Sequence, residues 1–364
     1  MDCPQVEWSA DPTHAERFRQ VVARHRLPVS GSLELTRGCN LRCRHCYLGA
    51  DDERLPADRA ELDTAAWLGI LDQIVAAGCL YLLITGGEPL VRPDFAEIYS
   101  HAKRRGMLVT LFTNGTLLDE SVLDVLTDLP PQTVEITLYG ATAATYEAIT
   151  GVPGSFDRCR AGLERLAQRR LRFRLKTVLT RLNIDELEAM EALARRFGVK
   201  FRFDPAIFPT FGGDRAPLDL RVDPAVVADR ELADEERRRE WTEFYRRHHE
   251  PPATDDAFSC GTGVGTFHVD PFGRLCPCVM VRRPAYDLTR GDFATGWREV
   301  IPTVRKLKMA AGQKCRTCRD ISLCGYCPAF FELENGSPDI PSEYLCTLGQ
   351  NRADRIRSII NTEA

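Results

Sequence analysis

The sequence predicts an α/β fold: a partial (β/α)6 TIM barrel followed by a C-terminal Cys-rich domain. Three observations carry this. Short apolar runs alternate with amphipathic stretches from about residue 32 to 205. The alternation ends in residues 205–222, which are rich in Pro, Gly and Asp and read as a loop or linker. Beyond it, eight of the 14 cysteines lie between Cys260 and Cys346.

Residues 1–31 form an N-terminal extension with one candidate helix, Thr13–Arg26. The barrel, residues 32–222, has candidate strands Ser32–Thr36, Leu80–Thr85, Leu108–Thr113, Thr133–Leu138, Arg172–Leu179 and Lys200–Phe203. Candidate helices between and after them are Thr64–Ala77, Asp94–Arg105, Glu120–Thr127, Phe156–Arg169 and Asp185–Phe197. Each has apolar residues at three- and four-residue steps, as in Leu68, Leu71, Ile74 and Val75. Repeated βα units imply parallel strands with right-handed crossovers. Six units are too few for a closed eight-stranded barrel, so a partial barrel or open curved sheet is expected. Residues 223–259 are a helical linker with a charged helix at Pro224–His249, whose run Glu235–Glu240 is a solvated face. Its His248-His249 pair is expected to be exposed. Residues 260–364 have little periodicity and would need metals to hold them together.

With 364 residues and 44% apolar content, the chain can bury a substantial core. A net charge of −4 argues against nucleic-acid binding. No stretch approaches the ~18 continuous apolar residues of a membrane span. Met1–Glu7 has no basic or apolar export pattern, so a cytoplasmic location is expected. In a reducing compartment the cysteines read as metal ligands rather than disulfides. Cys79 and Cys159 are the exceptions and read as small buried apolar side chains. Cys3 reads as a terminal thiol.

The first strand runs directly into Cys39, Cys43 and Cys46, spaced C-x3-C-x2-C. Barrel active sites sit at the C-terminal ends of strands. Three thiolates can hold three irons of a cubane and leave the fourth iron open. The plainer reading is structural zinc or three buried thiols. Zinc prefers four ligands in a closed site, no nearby cysteine supplies the fourth, and His45 inside the loop is poorly placed to do so.

This loop, with Tyr47 just beyond it, resembles the radical S-adenosylmethionine (SAM) superfamily. The resemblance implies that SAM chelates the open iron and that electron transfer releases a 5′-deoxyadenosyl radical, which takes hydrogen from a substrate. A second motif, Gly86-Gly87-Glu88-Pro89, ends the next strand. Alone it would be an ordinary turn. Here it resembles the family's GGEP motif, which binds the SAM amino group, with glycines that admit close backbone approach. Thr113-Asn114-Gly115-Thr116, Thr137 and Lys176 lie where relatives contact SAM, as does Asn183. The family commonly continues after the fourth strand with Asp, where this chain has Tyr139. Arg202 and Asp204 end the sixth strand and face the substrate cavity or pair with other charges.

The later cysteines read Cys260-x12-Gly273-x4-Cys278, Cys315-x2-Cys318-x5-Cys324-x2-Cys327 and Cys346. Spacing alone leaves a pair of structural zincs open. After a radical SAM core the array resembles a SPASM domain with two auxiliary 4Fe–4S clusters, although the last step is x2 where that family has x3. The resemblance assigns Cys315, Cys318, Cys324 and Cys346 to a distal cluster and Cys260, Cys278 and Cys327 to a proximal one. Either Cys276 completes the proximal site or one iron stays open.

The resemblance implies three 4Fe–4S clusters, SAM, and a reducing partner such as flavodoxin or ferredoxin. It implies an oxidoreductase that matures a ribosomally made peptide (RiPP) by thioether formation, carbon–carbon crosslinking or oxidation. The short N-terminal extension leaves leader recognition to a separate protein. Alternatives are an anaerobic sulfatase-maturase-like enzyme forming formylglycine, with Asp204 as a candidate base, or a small-molecule dehydrogenase or decarboxylase. A non-enzymatic iron–sulfur electron carrier would not need the Gly86–Pro89 motif.

Overall fold

The computed structural model describes residues 12–49 and 60–363. Six parallel strands lie side by side in chain order: β1 Ser30–Glu34, β2 Tyr81–Thr85, β3 Leu108–Thr113, β4 Thr133–Thr137, β5 Phe173–Val178 and β6 Phe201–Asp204. Helices α1 Pro12–His25, α2 Thr64–Ala76, α3 Phe95–Arg104, α4 Glu120–Asp128, α5 Ala143–Thr150, α6 Ser155–Gln168 and α7 Leu187–Arg196 precede, connect and follow them. Alternation along the strands sorts their residues. Val134 and Ile136 of β4 enter the apolar layer shared with the helices, as do Leu82 and Ile84 of β2 and Leu175 of β5. Glu135 and Thr137, the intervening positions of β4, belong to the opposite face. That face turns toward the barrel interior, where Thr137 and Lys176 sit beside Phe112. Trp67 of α2, fully buried, anchors its helix to this layer. Burying a side chain of that kind contributes roughly 2–3 kcal/mol.

Up to residue 204 the described helices and strands match the periodicity of the sequence to within two residues, except that α5 lies where no helix is expected. It is two turns long and weakly amphipathic. The charged segment is two helices, α8 Pro224–Ala233 and α9 Glu235–His248, broken at Asp234, whose extended backbone and side chain cap the second helix. His249 is not exposed as expected: it stacks on Tyr245 at 4.2 Å and its Nε2 lies 2.9 Å from Asp320 Oδ1. Cys79 and Cys159 are buried as expected. Cys3 lies outside the described residues.

The sheet does not stop at the barrel. β7 Thr266–Val269 pairs parallel with β1, and β8 Arg274–Cys276 and β9 Tyr286–Asp287 extend it antiparallel, giving nine strands in the order β6-β5-β4-β3-β2-β1-β7-β8-β9. The Cys-rich region thus continues the barrel sheet and adds helices α10 Pro328–Asn335 and α11 Glu343–Glu363. Residues 205–222 are more than a linker. Phe208 and Phe211 pack on Tyr47, and Phe211 N–H donates to the Tyr47 carbonyl at 2.8 Å. Phe208 also meets Phe330 of α10 at 5.6 Å, so this loop joins the first cysteine loop to the C-terminal region. No helix among the described residues is long and apolar enough to cross a membrane.

Candidate active site

The C-terminal ends of β2 to β6, with the loop that follows β1, open on one cavity of about 330 Å³. Cys39, Cys43, Cys46 and Tyr47 line it, with Gly86, Gly87, Glu88, Asn114, Thr137, Lys176, Arg202 and Asp204. Residues separated by up to 165 positions in the sequence therefore meet around one space. Pro89 is buried at the start of a short 3-10 turn and does not line it. Neither does Asn183: its amide donates to the carbonyls of Tyr139 and Val178, both at 3.1 Å, and its Oδ1 accepts from Thr180 N–H at 2.8 Å. Asn183 ties the β4 end to the β5 end instead of reaching the cavity.

Neighbouring elements shape the cysteine loop. Leu35 N–H continues the β1 ladder to the Thr85 carbonyl, and Gly87 N–H and Glu88 N–H donate to the carbonyls of Thr36 and Gly38 at 2.7 and 2.9 Å. The two glycines are required here by the cysteine loop itself: a Cβ on Gly86 would stand 2.7 Å from the Thr36 oxygen. From the other side α5 presents its last carbonyls, so that Arg42 N–H donates to Thr150 and Arg44 N–H to Ile149. These orphan carbonyls of a helix C-terminus need donors, and the cysteine loop supplies them. Asn40 completes the link to β3, donating to Thr116 Oγ1 at 2.8 Å and accepting from the Asn114 amide at 2.9 Å. The sequence singles out neither Asn40 nor α5.

Glu88 is buried. Its Oε1 accepts from Thr113 Oγ1 and Leu90 N–H, and its Oε2 from Asn114 N–H at 2.7 Å. Burial outweighs these donors and pushes the carboxyl up to about 7. Across the barrel, Lys176 Nζ sits 2.8 Å above the Phe112 ring centroid and 3.8 Å from Glu135 Oε2. Burial pushes this ammonium down to about 7 against the opposing pull of Glu135. Arg202, beside Lys176 in the β5–β6 register, binds the same Glu135 oxygen at 2.7 Å. The interior therefore offers a carboxylate on one wall and a partly neutral lysine on the other. That suits an amine on the first side and a carboxylate on the second.

The C-terminal cysteines sort into two groups. Cys315, Cys318, Cys324 and Cys346 line a second cavity of about 240 Å³. Cys260, Cys278 and Cys327 are close enough to perturb one another electrostatically. Cys276 is buried on β8, its thiol donates to the Arg282 carbonyl at 3.7 Å, and it too is close enough to Cys278 to be perturbed by it.

The family model described as Radical SAM superfamily matches residues 33–194. The AdoMet-dependent heme synthase of Methanosarcina barkeri is 28% identical over 332 residues, covering 85% of this chain and 93% of that protein. The mycofactocin maturase MftC of Mycobacterium ulcerans is 31% identical over 317 residues, 83% of each chain. The crystal structure of Streptococcus suis SuiB bound to precursor peptide SuiA shares the fold, with a TM-score of 0.68 at 17% identity over 92% of this chain and 80% of that one. The chain is an enzyme of the radical SAM superfamily.

Proposed function

We propose that this radical SAM enzyme modifies a ribosomally synthesised peptide, forming a crosslink or an oxidised residue. The match to a mycofactocin maturase at 31% identity across 83% of both chains carries the reading. The residues fit the cofactors this requires. Three thiols on one loop face a common cavity with an open side, the donor set a site-differentiated cubane needs. Cys39, Cys43 and Cys46 would hold the cluster, and Gly86, Gly87, Glu88, Asn114, Thr137 and Lys176 would hold SAM. Together the two groups supply, when bound, a reductively generated radical that removes a hydrogen atom from substrate.

The chain's own residues position and shield. Glu88 and the Gly86–Gly87 backbone take the ammonium end of SAM, and Lys176 takes its carboxylate. Tyr47 and Tyr139 wall the cavity with rings and keep water from the reacting atoms. Arg202 and Asp204 stand on the β6 side, where a substrate would enter. Cys315, Cys318, Cys324 and Cys346 surround a void instead of converging on a point. Four thiols around one void are the donor set a four-iron cluster needs. Cys260, Cys278 and Cys327 would hold a second. The turn of Cys276 toward Arg282 favours three protein ligands there.

A second reading is a tetrapyrrole substrate, favoured by 28% identity over 93% of a heme synthase. The test is substrate-stimulated turnover. Anaerobically reconstituted enzyme, SAM and dithionite are mixed with synthetic precursor peptides encoded beside the gene, or with a porphyrin carrying propionate groups. The proposal expects 5′-deoxyadenosine release to rise, and a peptide mass change to appear, with peptide only. Stimulation by the porphyrin alone would establish the second reading.

A further inference from the structure

Lys176 makes no hydrogen bond among the described residues. Its Nζ lies 3.8 Å from Glu135 Oε2, too far for one, and 2.8 Å above the Phe112 ring centroid. The hydrogen bond to that oxygen belongs to Arg202, whose Nη2 donates to it at 2.7 Å. The strand registers explain the grouping: Phe112 of β3 lies opposite Glu135 of β4, and Lys176 of β5 opposite Arg202 of β6. Glu135 is buried and does not line the cavity, whereas Lys176 and Arg202 both do. One buried carboxylate therefore stands behind two cations, and only Arg202 is bonded to it. The Lys176 side chain is 17% exposed and that of Arg202 57%, so the unbonded cation is the enclosed one. Asp204, two residues on along β6, is engaged elsewhere: its Oδ1 accepts from Ala206 N–H at 2.9 Å.

We propose that Arg202 is a positioning residue for SAM: by binding Glu135 it keeps the Lys176 ammonium unpaired and available to the SAM carboxylate. This rests on the reading that Lys176 takes that carboxylate. A guanidinium stays charged and has five donors, so it holds a carboxylate at any working pH. Lys176 can then turn its three donors to the cavity, and Glu135 keeps a partner when it does. Without Arg202, Lys176 is the cation left beside the buried carboxylate, and closing a gap of 3.8 Å makes that pair direct. SAM would then have to break the pair and leave a buried carboxylate unpaired, which is strongly unfavourable. Arg202 thus acts through Glu135 and Lys176, with no contact to SAM required.

The test is equilibrium dialysis of SAM against cluster-loaded protein at pH 6, where burial still leaves the parent's Lys176 largely charged. Glu88, across the cavity, is the same in every variant. Arg202→Met should bind SAM about tenfold more weakly, the order expected when an ion pair in a partly buried site must first be broken. Adding Glu135→Gln to that variant should restore most of the affinity, because the carboxylate that captures Lys176 is gone. A purely structural role for Arg202, or a direct contact between Arg202 and SAM, gives no such recovery. Iron content is matched first; should Arg202→Met load poorly, Arg202→Gln carries the same expectations. Unchanged affinity in whichever Arg202 variant loads, or a double variant as weak as the single one, overturns the proposal. Lys176→Met that binds SAM like the parent overturns the carboxylate reading instead, which keeps the two failures distinct.

Discussion

Gly87 passes so close to Gly38 that a Cβ at position 87 would stand 2.5 Å from the Gly38 carbonyl oxygen. The obstacle is backbone of the cysteine loop, and Gly87 N–H is bonded to that loop at Thr36. Gly87→Ala must therefore move the loop that carries Cys39. Overpacking of this kind costs about 1–3 kcal/mol. Reconstituted Gly87→Ala protein should bind less iron at the catalytic site. Gly69, inside α2 with no atom within 4 Å of a new Cβ, is the contrast. Gly69→Ala should raise stability by about 0.5–1 kcal/mol in chemical denaturation and leave iron content unchanged.

Arg221 and Glu334 bind the end of the 205–222 loop to α10. Two parallel hydrogen bonds of 2.9 and 2.7 Å join them, and the guanidinium lies over the rings of Tyr344 and Phe330. Burial alone would raise the Glu334 carboxyl, but the hydrogen bonds and charge of Arg221 outweigh it and hold it below the ordinary range. A carboxyl lowered on folding stabilises the fold above its unfolded value, near 4.3, and loses that contribution as pH falls through the folded value. Glu334→Ala leaves a buried guanidinium without its anion and should cost about 3–5 kcal/mol. The parent's stability should decline below pH 4.5 more steeply than that of the variant, measured by urea unfolding across pH.

If Lys176 holds the SAM carboxylate as proposed, its contribution to SAM binding depends on pH. With its ammonium pushed down to about 7 by burial, the free enzyme carries a largely charged lysine at pH 6 and a largely neutral one at pH 8. A carboxylate that enters beside it favours the charged form. Glu88, also pushed to about 7, ionises over the same range and favours the SAM ammonium, so the Lys176 effect is read as the ratio of Lys176→Met to parent dissociation constants, measured by equilibrium dialysis of cluster-loaded protein. That ratio should be largest at pH 6 and fall toward pH 8. A ratio that stays constant over this range would remove Lys176 from the carboxylate contact.

The auxiliary assignments are checked by counting iron. Three cubanes require about twelve irons per chain. Cys315→Ala and Cys324→Ala should each lower the content by about four, because both side chains face the same cavity. Cys276→Ala should leave it unchanged, since that thiol is turned to the Arg282 carbonyl. A loss of four irons in Cys276→Ala would make it the missing proximal ligand.

Much of the barrel is legible in the sequence because its strands and helices are local patterns. Val134 and Ile136 alternate with Glu135, and Trp67, Ile70, Leu71 and Ile74 recur at helical steps, so each element declares itself. The cysteine spacing and Gly86–Pro89 are equally local. What the sequence hides is pairing at a distance. Nothing in Thr266–Val269 announces a parallel partner in Ser30–Leu33, more than 230 residues earlier, and nothing in Asn40 announces Asn114. α5 escapes for a different reason: eight residues of Ala, Thr, Tyr, Glu and Ile give too short a period to stand out. It still supplies the carbonyls that hold Arg42 and Arg44. The glycines of Gly86-Gly87 are visible as a motif, but their contact is with Thr36 and Gly38, which only the fold reveals.

The measurement that tests the central claim most directly is reductive cleavage of SAM by the chain itself. Anaerobically reconstituted, dithionite-reduced protein should convert SAM to 5′-deoxyadenosine and methionine, followed by liquid chromatography. Cys43→Ala, which removes one of the three thiolates, should form none. Equal turnover in Cys43→Ala, or none in fully loaded parent protein, would contradict the assignment of Cys39, Cys43 and Cys46 as the catalytic centre.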